Sequence, residues 1–215
     1  MEKTGKKNKK NPKSGILSFL LRVINYVKKC VLGVYRTKIF ELDLEHPGPK
    51  IISDLNPSFR LATKKDILSM DKAHYDYHKK EKKFFIDRLK EGDRCILALY
   101  NGKTIGYIWV MKNQMELRPN KYISLSKDRS YTYKEFVLNE YRGRRIHGAI
   151  YAYLSDMLRR DGKRFVVSAV DMDNKSALKS KSRGGYRIIG NLTRLRFFGL
   201  KFDYIKKKEL CYLQN

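Results

Sequence analysis

The stretch Tyr141–Tyr151, which reads YRGRRIHGAIY, joins a strand-like run to an amphipathic helix through a turn rich in Arg and Gly. The preceding run, Tyr131–Leu138 (YTYKEFVL), is rich in aromatic and β-branched residues and has the length of a β-strand. The following run, Gly148–Arg159, carries apolar residues at spacings of three and four, which predicts a helix. A helix N-terminus presents unpaired N–H groups and a positive dipole end, so the turn is typical of a phosphate site. Taken by itself, an arginine-rich turn is equally typical of a solvated surface.

A second strand and helix follow in the same order. Arg164–Val170 (RFVVSAV) reads as a strand, and Asp173–Tyr186 (DNKSALKSKSRGGY) reads as a helix. Asn174 is a favourable residue for the start of that helix, and the pair Gly184 and Gly185 is favourable for its end.

The turn resembles the acyl-CoA pyrophosphate loop of the GNAT superfamily of N-acetyltransferases. The family pattern is Arg or Gln, two residues, Gly, one residue, then Gly or Ala. Arg142 takes the first position and Gly143 fills a spot that is often Gly, whereas Arg145 and His147 stand where the family usually has its two glycines. Backbone N–H groups do not depend on the side chain. The phosphate cradle is therefore retained, provided that neither position needs positive φ or unusually close backbone approach.

The second helix resembles another family motif, which is Asn, two residues, Ala, seven residues, Gly and Phe. The matching positions here are Asn174, Ala177, Gly185 and Tyr186. The family often carries a Tyr midway along this helix as proton donor to the departing thiolate, and here that position is Lys181.

The resemblance implies an acyltransferase that uses acetyl-CoA as cosubstrate, with an amine as acceptor. It implies cofactor contacts from the strand before the loop, from the loop itself and from the second helix: Phe136, Val137, Leu138, Arg142, Gly143, Arg144, Arg145, Ile146, His147 and Asn174. Backbone groups of the strand would hold pantetheine and polarise the thioester carbonyl.

Two side chains are the first candidates for proton transfer. Glu135 is the first candidate for the base, with Asp171 second, since each lies in or at the end of a strand beside the implied reaction centre. Lys181 is the candidate that stabilises or protonates the thiolate, or else holds a CoA phosphate. A tyrosine is the alternative acid, from Tyr186, Tyr151 or Tyr153.

The order of predicted elements is that of the GNAT fold, an α+β class with a mixed, mostly antiparallel central sheet flanked by helices. Helices are predicted over Lys64–His78 and Lys79–Glu91, and a hairpin of Arg94–Tyr100 with Lys103–Met111 turns at Asn101-Gly102. Two further strands are predicted to end near Tyr212. The acetyltransferase-like domain is expected to span residues 58–215.

The N-terminal region differs in composition. Met1–Ser14 is a Lys- and Asn-rich tail that we expect to be disordered when free. Gly15–Phe40 is predicted to be an amphipathic helix, within an extension over residues 15–44, and Glu45–Pro57 reads as a linker. Residues 1–40 could lie on an anionic membrane, or the helix could pack on the domain or on a second subunit. Charges interrupt the apolar run too early for a bilayer span, and the run does not fit a secretory signal.

Composition limits the function classes without choosing among them. The 215 residues include 48 basic and 22 acidic side chains, a formal net charge of +26, which favours anionic partners. The three cysteines are widely spaced and lie in no pattern with histidines, so neither a disulfide framework nor a metal site is predicted. The expected location is the cytoplasm, with the inner face of a membrane as the alternative that the N-terminal helix raises.

The competing function class is a non-catalytic basic module that binds nucleic acid or a membrane. Nucleic acid is disfavoured because the aromatic residues fall mostly at apolar positions of strands and helices rather than among the cations. The acceptor amine and the oligomeric state are not predicted. Reasonable acceptor-lining residues are His74, Tyr75, Tyr77, His78 and the loop Met115–Arg129.

Overall fold

The computed structural model describes residues 32–48, 51–76, 82–118, 121–198 and 200–214. They fall into a larger unit, within 36–192 and 205–214, and a smaller unit, within 32–35 and 193–204. The tail Met1–Ser14, most of the predicted amphipathic helix, and Tyr77 and His78 lie outside the described residues.

Ten strands and six helices form in the described residues. The strands are β1 (Leu32–Asp43), β2 (Ser58–Leu61), β3 (Arg94–Tyr100), β4 (Lys103–Lys112), β5 (Gln114–Arg118), β6 (Lys121–Ser124), β7 (Arg129–Val137), β8 (Phe165–Asp171), β9 (Arg187–Phe197) and β10 (Leu200–Ile205). The helices are α1 (Lys64–Ser69), α2 (Lys72–Asp76), α3 (Lys82–Lys90), α4 (Ile146–Arg160), α5 (Lys175–Arg183) and α6 (Lys207–Gln214).

The larger unit is built on a sheet whose strand order is β9-β1-β8-β7-β4-β3-β2, while β5 and β6 form a separate hairpin. The pairs β1–β8, β7–β4, β4–β3 and β3–β2 are antiparallel, and β7–β8 is parallel. The predicted α+β class with a mostly antiparallel central sheet is therefore confirmed.

Helices cover both faces of this sheet, which explains why β3 and β4 are nearly continuous apolar runs. On one face, Ile67 of α1 and Phe85 of α3 pack in a cluster with Trp109 of β4. On the other face, Ile150 and Leu154 of α4 pack in a second cluster. Burial on both faces fixes α4 against the sheet and so fixes the start of α4 near the end of β7.

An extra residue interrupts the regular pairing of β7 with β4. Tyr133 pairs with Trp109 and Phe136 pairs with Tyr107, so β7 advances three residues where β4 advances two. Lys134 takes a left-handed conformation with φ of 48° within this bulge. A bulge bends the strand and re-aims its side chains. Glu135 consequently lies on the face that α4 covers.

Beyond the bulge, β7 and β8 separate. Their parallel pairing runs from Arg129 with Phe165 to Thr132 with Ser168 and, among the described residues, goes no further. β7 nevertheless continues to Val137 and β8 to Asp171. The two strands therefore leave an opening between their C-terminal ends.

Two predicted elements and one predicted domain boundary differ from the structure. Residues 32–43 form β1 rather than the end of a helix, because residues 37–43 pair with β8, and Ile39, Phe40 and Leu42 are buried in the two layers of the core. The folded unit thus begins before Ser58. Residues 207–214 form α6 rather than a strand, with Leu213 fully buried.

Two further regions are more finely divided than the sequence indicates. The helix predicted from Lys64 is broken at Met70 into α1 and α2. The region predicted as a loop, Met115–Arg129, contains most of the β5–β6 hairpin.

The smaller unit contains the end of β9 and most of β10. Arg194 Nε lies 2.8 Å from Asp203 Oδ1. The apolar side chains of the hairpin are largely exposed: Leu195, Phe197, Phe198, Leu200, Phe202 and Tyr204. Within the part of the chain that the structure describes, no helix combines the length and the apolar character needed to cross a bilayer.

Candidate active site

The loop between β7 and α4 has the geometry of an anion cradle. After a short 3-10 turn over Asn139–Tyr141, Gly143 takes φ of 79° and Arg145 takes φ of 58°. Arg145 is the N-cap of α4, and its side chain makes no capping hydrogen bond. The first-turn amides of α4 therefore lie at a helix N-terminus that no capping side chain occupies, where an anion is favoured by the backbone N–H groups and by the helix dipole.

The two departures from the family pattern have different structural consequences. Arg145 stands in a left-handed conformation that glycine adopts freely, so the arginine is accommodated at a cost of roughly 1 to 2 kcal/mol. His147 lies inside α4 and needs no positive φ. Gly148, the next residue, is tightly packed, since a Cβ there would lie 2.5 Å from Ile51 Cγ2.

A cavity of about 650 Å³ lies between α4 and α5. Pro47, Gly48 and Ile51 form part of its wall, and Val137 contributes from the end of β7. Its basic lining residues are Arg142, Arg145, Arg159, Lys179, Lys181 and Arg183, whereas Asp156 is the acidic one. A concave site with this balance is suited to an elongated polyanionic ligand with an apolar or neutral arm.

A buried ionic cluster lies beside the cavity and centres on Glu135. One carboxylate oxygen, Oε1, lies 2.7 Å from Lys181 Nζ and accepts a hydrogen bond from Tyr151. The other, Oε2, lies 2.7 Å from His147 Nε2. The structure thus brings the two predicted catalytic side chains, Glu135 and Lys181, into one ion pair.

Lys181 is enclosed as well as paired. Its side chain is 2% exposed, and Nζ lies 4.3 Å from the ring centroid of Tyr151 and 4.6 Å from that of Tyr186. The ammonium also donates a hydrogen bond to the Tyr151 hydroxyl, so the Glu135 carboxylate, this hydroxyl and the Tyr186 ring hold it at a fixed point of the cavity wall.

Burial and pairing shift the pKa values within this cluster in different directions. Burial raises the pKa of Glu135, but the charge of Lys181 and the hydrogen bond from His147 outweigh burial, so the pKa lies well below the usual glutamate range. Burial lowers the pKa of Lys181, and Glu135 opposes that effect only in part. Burial followed by the charge of Glu135 raises the pKa values of Tyr151 and Tyr186 well above the ordinary tyrosine value. Lys181 is consequently a better proton donor than Tyr151 or Tyr186.

The predicted cofactor-binding residues divide into two groups. The residues that line the cavity are Val137, Arg142, Gly143, Arg145, Ile146 and His147. The others do not: the Phe136 ring packs on Tyr107, Leu138 is buried in the core, the Arg144 side chain is exposed, and Asn174 caps α5 by accepting from the Ala177 amide at 3.1 Å.

The remaining candidates lie elsewhere. Asp171 accepts a hydrogen bond from Thr37 at the exposed end of β8, and the Tyr153 ring packs on Phe59. His74 is buried, with Nδ1 2.6 Å from Asp71 and Nε2 2.9 Å from the Thr104 carbonyl oxygen. Sequence reasoning missed Ser180 and the role of Tyr151 beside His147, although the four-residue spacing of His147 and Tyr151 places both on one face of α4.

A model of the acetyltransferase (GNAT) family matches residues 51–180. The chain therefore belongs to the GNAT family of acetyltransferases. A search of curated proteins found no match.

Solved structures with a similar fold include several acetyltransferases. A GNAT-family acetyltransferase from Colwellia psychrerythraea is 10% identical with a TM-score of 0.58, over 81% of this chain and 62% of that one. A GCN5-related glucosamine N-acetyltransferase region of a fungal multi-domain beta-N-acetylglucosaminidase is 16% identical with a TM-score of 0.56, over 83% of this chain and 22% of that one. A functionally unknown conserved protein from Staphylococcus epidermidis is 12% identical with a TM-score of 0.55, over 82% of this chain and 66% of that one. The chain thus spans less than two thirds of each structure's length, and at these identities the similarity shows the fold.

Proposed function

We propose that this protein transfers an acyl group, with acetyl as the first choice, from acyl-CoA to an amine by direct attack of the amine on the thioester. The observation that carries the proposal is the cavity between α4 and α5. One part of the cavity lies at the uncapped N-terminus of α4. Another part is lined by Lys181, which pairs with Glu135 beside the opening between β7 and β8.

The chemistry of CoA fits this arrangement part by part. The phosphates would meet the first-turn amides of α4 and the guanidinium of Arg142, whose Nε donates to the Val137 carbonyl oxygen at 3.1 Å and is thereby held beside the cradle. The pantetheine arm would follow the end of β7, where the main chain of Phe136, Val137 and Leu138 has left β8. An amide of that segment would polarise the thioester carbonyl.

Lys181 would protonate the departing thiolate. A buried ammonium with a lowered pKa gives up its proton more readily than an exposed lysine does. We propose that Glu135 stays ionised and balances the positive charge of Lys181, rather than accepting the proton of the amine. Its carboxylate already accepts hydrogen bonds from Lys181, His147 and Tyr151.

Thermal-shift titration with acetyl-CoA tests the binding half of this proposal. A ligand that binds the native state selectively raises Tm in proportion to the logarithm of its concentration over Kd. Arg142→Ala should weaken the shift, and Arg160→Ala should not, because Arg160 is exposed at the end of α4 and does not line the cavity. A wild-type protein that shows no shift at millimolar acetyl-CoA would contradict the proposal.

Release of CoA from acetyl-CoA tests the catalytic half. A suitable amine panel is glucosamine, a lysine-containing peptide and spermidine, since the glucosamine N-acetyltransferase region that shares this fold makes an amino sugar a reasonable member. Lys181→Ala, assayed at a temperature below its lowered Tm, should reduce kcat while acetyl-CoA still binds. An unchanged kcat would remove Lys181 from the chemistry.

A second candidate function is attachment to an anionic membrane surface, and the exposed apolar hairpin of β9 and β10 favours it. Phe198, Leu200 and Phe202 are each more than half exposed, and Lys201 lies among them. Apolar side chains among cations suit the boundary between lipid headgroups and acyl chains. Co-sedimentation with phosphatidylglycerol vesicles should decrease in Phe198→Ser/Phe202→Ser. Binding that is instead lost when residues 1–31, which precede β1, are removed would assign the contact to the N-terminal extension.

A further inference from the structure

The hydrogen bonds of His147 define which of its ring nitrogens carries a proton. Nε2 lies 2.7 Å from Glu135 Oε2, and Nδ1 lies 3.3 Å from Ser180 Oγ. An ionised carboxylate can only accept hydrogen bonds, so Nε2 must donate. In the neutral ring the other nitrogen, Nδ1, then has a free lone pair, and the Ser180 hydroxyl can donate to it.

This lone pair faces the Ser180 hydroxyl, and Ser180 lines the cavity. His147, Ser180 and Lys181 all line the cavity, and the His147 side chain is 29% exposed. The Tyr151 ring holds the imidazole from the side, with an edge-on contact at 5.0 Å between ring centroids. A carboxylate that orients a histidine, whose second nitrogen faces a hydroxyl in a cavity, is the arrangement that enzymes use to make a histidine a base.

We propose that His147 is the general base that takes the proton of the attacking amine, with Ser180 passing that proton to Nδ1. The proposal rests on the acyltransferase function proposed above. It gives a catalytic role to one of the two residues that depart from the family's loop pattern, and it makes Glu135 the residue that positions His147.

The proton balance of the reaction closes within the cluster. The neutral amine nitrogen attacks the thioester carbonyl carbon, a C–N bond forms and the C–S bond breaks. The nitrogen loses one proton through Ser180 to His147, which becomes an imidazolium, while the sulfur takes one proton from the ammonium of Lys181. Transfer of a proton from His147 back to Lys181, both of which contact Glu135, restores the starting state.

The arrangement also keeps the net charge of the cluster constant. Before the reaction the carboxylate of Glu135 is balanced by the ammonium of Lys181, and after the reaction it is balanced by the imidazolium of His147. The two positive positions contact different oxygens of the same carboxylate. Because moving an unpaired charge into a buried site is costly, a transfer between two partners of one carboxylate avoids the main electrostatic barrier.

Two substitutions at one position separate catalysis from packing. His147→Gly installs a residue usual for the family and leaves a space, and His147→Gln keeps a side chain that can donate to Glu135 but cannot accept a proton at neutral pH. We expect both to lower kcat by about 100-fold, with the KM for acetyl-CoA changed by less than about threefold. Added imidazole should restore activity to the glycine variant and not to the glutamine variant, where the space is filled.

The outcomes distinguish this inference from the function on which it depends. If the wild type releases no CoA with any amine of the panel, acyl transfer fails and the base assignment fails with it. If the wild type turns over and His147→Gln keeps its rate, or if imidazole does not restore the glycine variant while its Tm and its acetyl-CoA binding are normal, acyl transfer stands and His147 is not the base.

Discussion

Lys181→Met should destabilise the protein strongly although methionine fits the space of the lysine stem. The substitution removes the ammonium that lies 2.7 Å from Glu135 Oε1 and between the rings of Tyr151 and Tyr186. It leaves a carboxylate whose side chain is 17% exposed without its cationic partner. The loss therefore comes from a buried charge left without compensation rather than from a cavity.

The magnitude follows from the number of partners that remain. Removing one member of a buried ion pair typically costs about 3 to 5 kcal/mol. Glu135 keeps hydrogen bonds from His147 and Tyr151, so we expect the lower end, about 3 kcal/mol. For a chain of this length that corresponds to a decrease in Tm of roughly 6 to 12 °C.

Urea unfolding at pH 7 measures this loss, and a double-mutant cycle assigns it. Lys181→Met combined with Glu135→Gln removes both charges. The free energy of unfolding of this double variant should lie within about 1 kcal/mol of the wild-type value. Lys179→Met, two residues away on α5 and exposed, is the matched control and should change the free energy of unfolding by less than about 0.5 kcal/mol. The reasoning is refuted if Lys181→Met costs less than about 1 kcal/mol, or if the double variant is less stable than the single one.

Three further substitutions or conditions test other parts of the site. Arg145→Gly should raise the free energy of unfolding by about 1 kcal/mol because Arg145 has φ of 58°. The control Arg144→Gly should not raise it, and equal effects of the two substitutions would contradict the argument from backbone strain. Gly106→Ala should destabilise the protein by about 1 to 3 kcal/mol and raise the KM for acetyl-CoA, because the added Cβ would lie 2.8 Å from the Phe136 carbonyl oxygen. A variant with the wild-type Tm would show that the end of β7 moves to make room for the methyl group. The pKa of Glu135 is depressed in the folded state, so its contribution to stability is present above the unfolded pKa of about 4.3 and is lost as pH falls below it. Urea unfolding between pH 6 and about pH 3.5 should therefore show a smaller loss for Glu135→Gln than for the wild type.

Much of the fold follows from local sequence signals. The β3–β4 hairpin turns at Asn101 and Gly102, whose φ angles of 48° and 74° are those that Asn-Gly adopts in a tight turn. The start of α5 is capped by Asn174 as its sequence position predicts. These signals act within a few residues of one another, so the sequence suffices to find them.

β1 could not be found in this way because its stability depends on a distant partner. Thr37 pairs with Asp171 and Asp43 pairs with Phe165, more than a hundred residues along the chain. Of the β1 side chains that the structure describes, only those of residues 39–42 are buried, and so short a run cannot be told by periodicity from part of a helix. The pairing of β1 with β8 makes this segment a strand rather than a helix.

The site was predictable in its parts but not in its connections. Glu135 is a candidate from its place in the strand and Lys181 from its motif position, yet nothing in the sequence shows that they form one ion pair. The bulge that turns Glu135 towards α4 contains no glycine, and the left-handed residue is Lys134, which gives no signal. His147 was visible as a departure from the loop pattern, and its meaning depends on the carboxylate beside it.

The bulge at Lys134 lowers the stability of the sheet and keeps the opening between β7 and β8. Deleting Lys134 would allow β7 to run straight along β4 and keep Glu135 and Phe136 on their present faces. A straight β7 could then continue its ladder with β8 past Thr132 and gain main-chain hydrogen bonds. The resulting protein would melt at a higher temperature and would lose the opening between β7 and β8, so one additional residue in β7 keeps this part of the sheet open at a cost in stability.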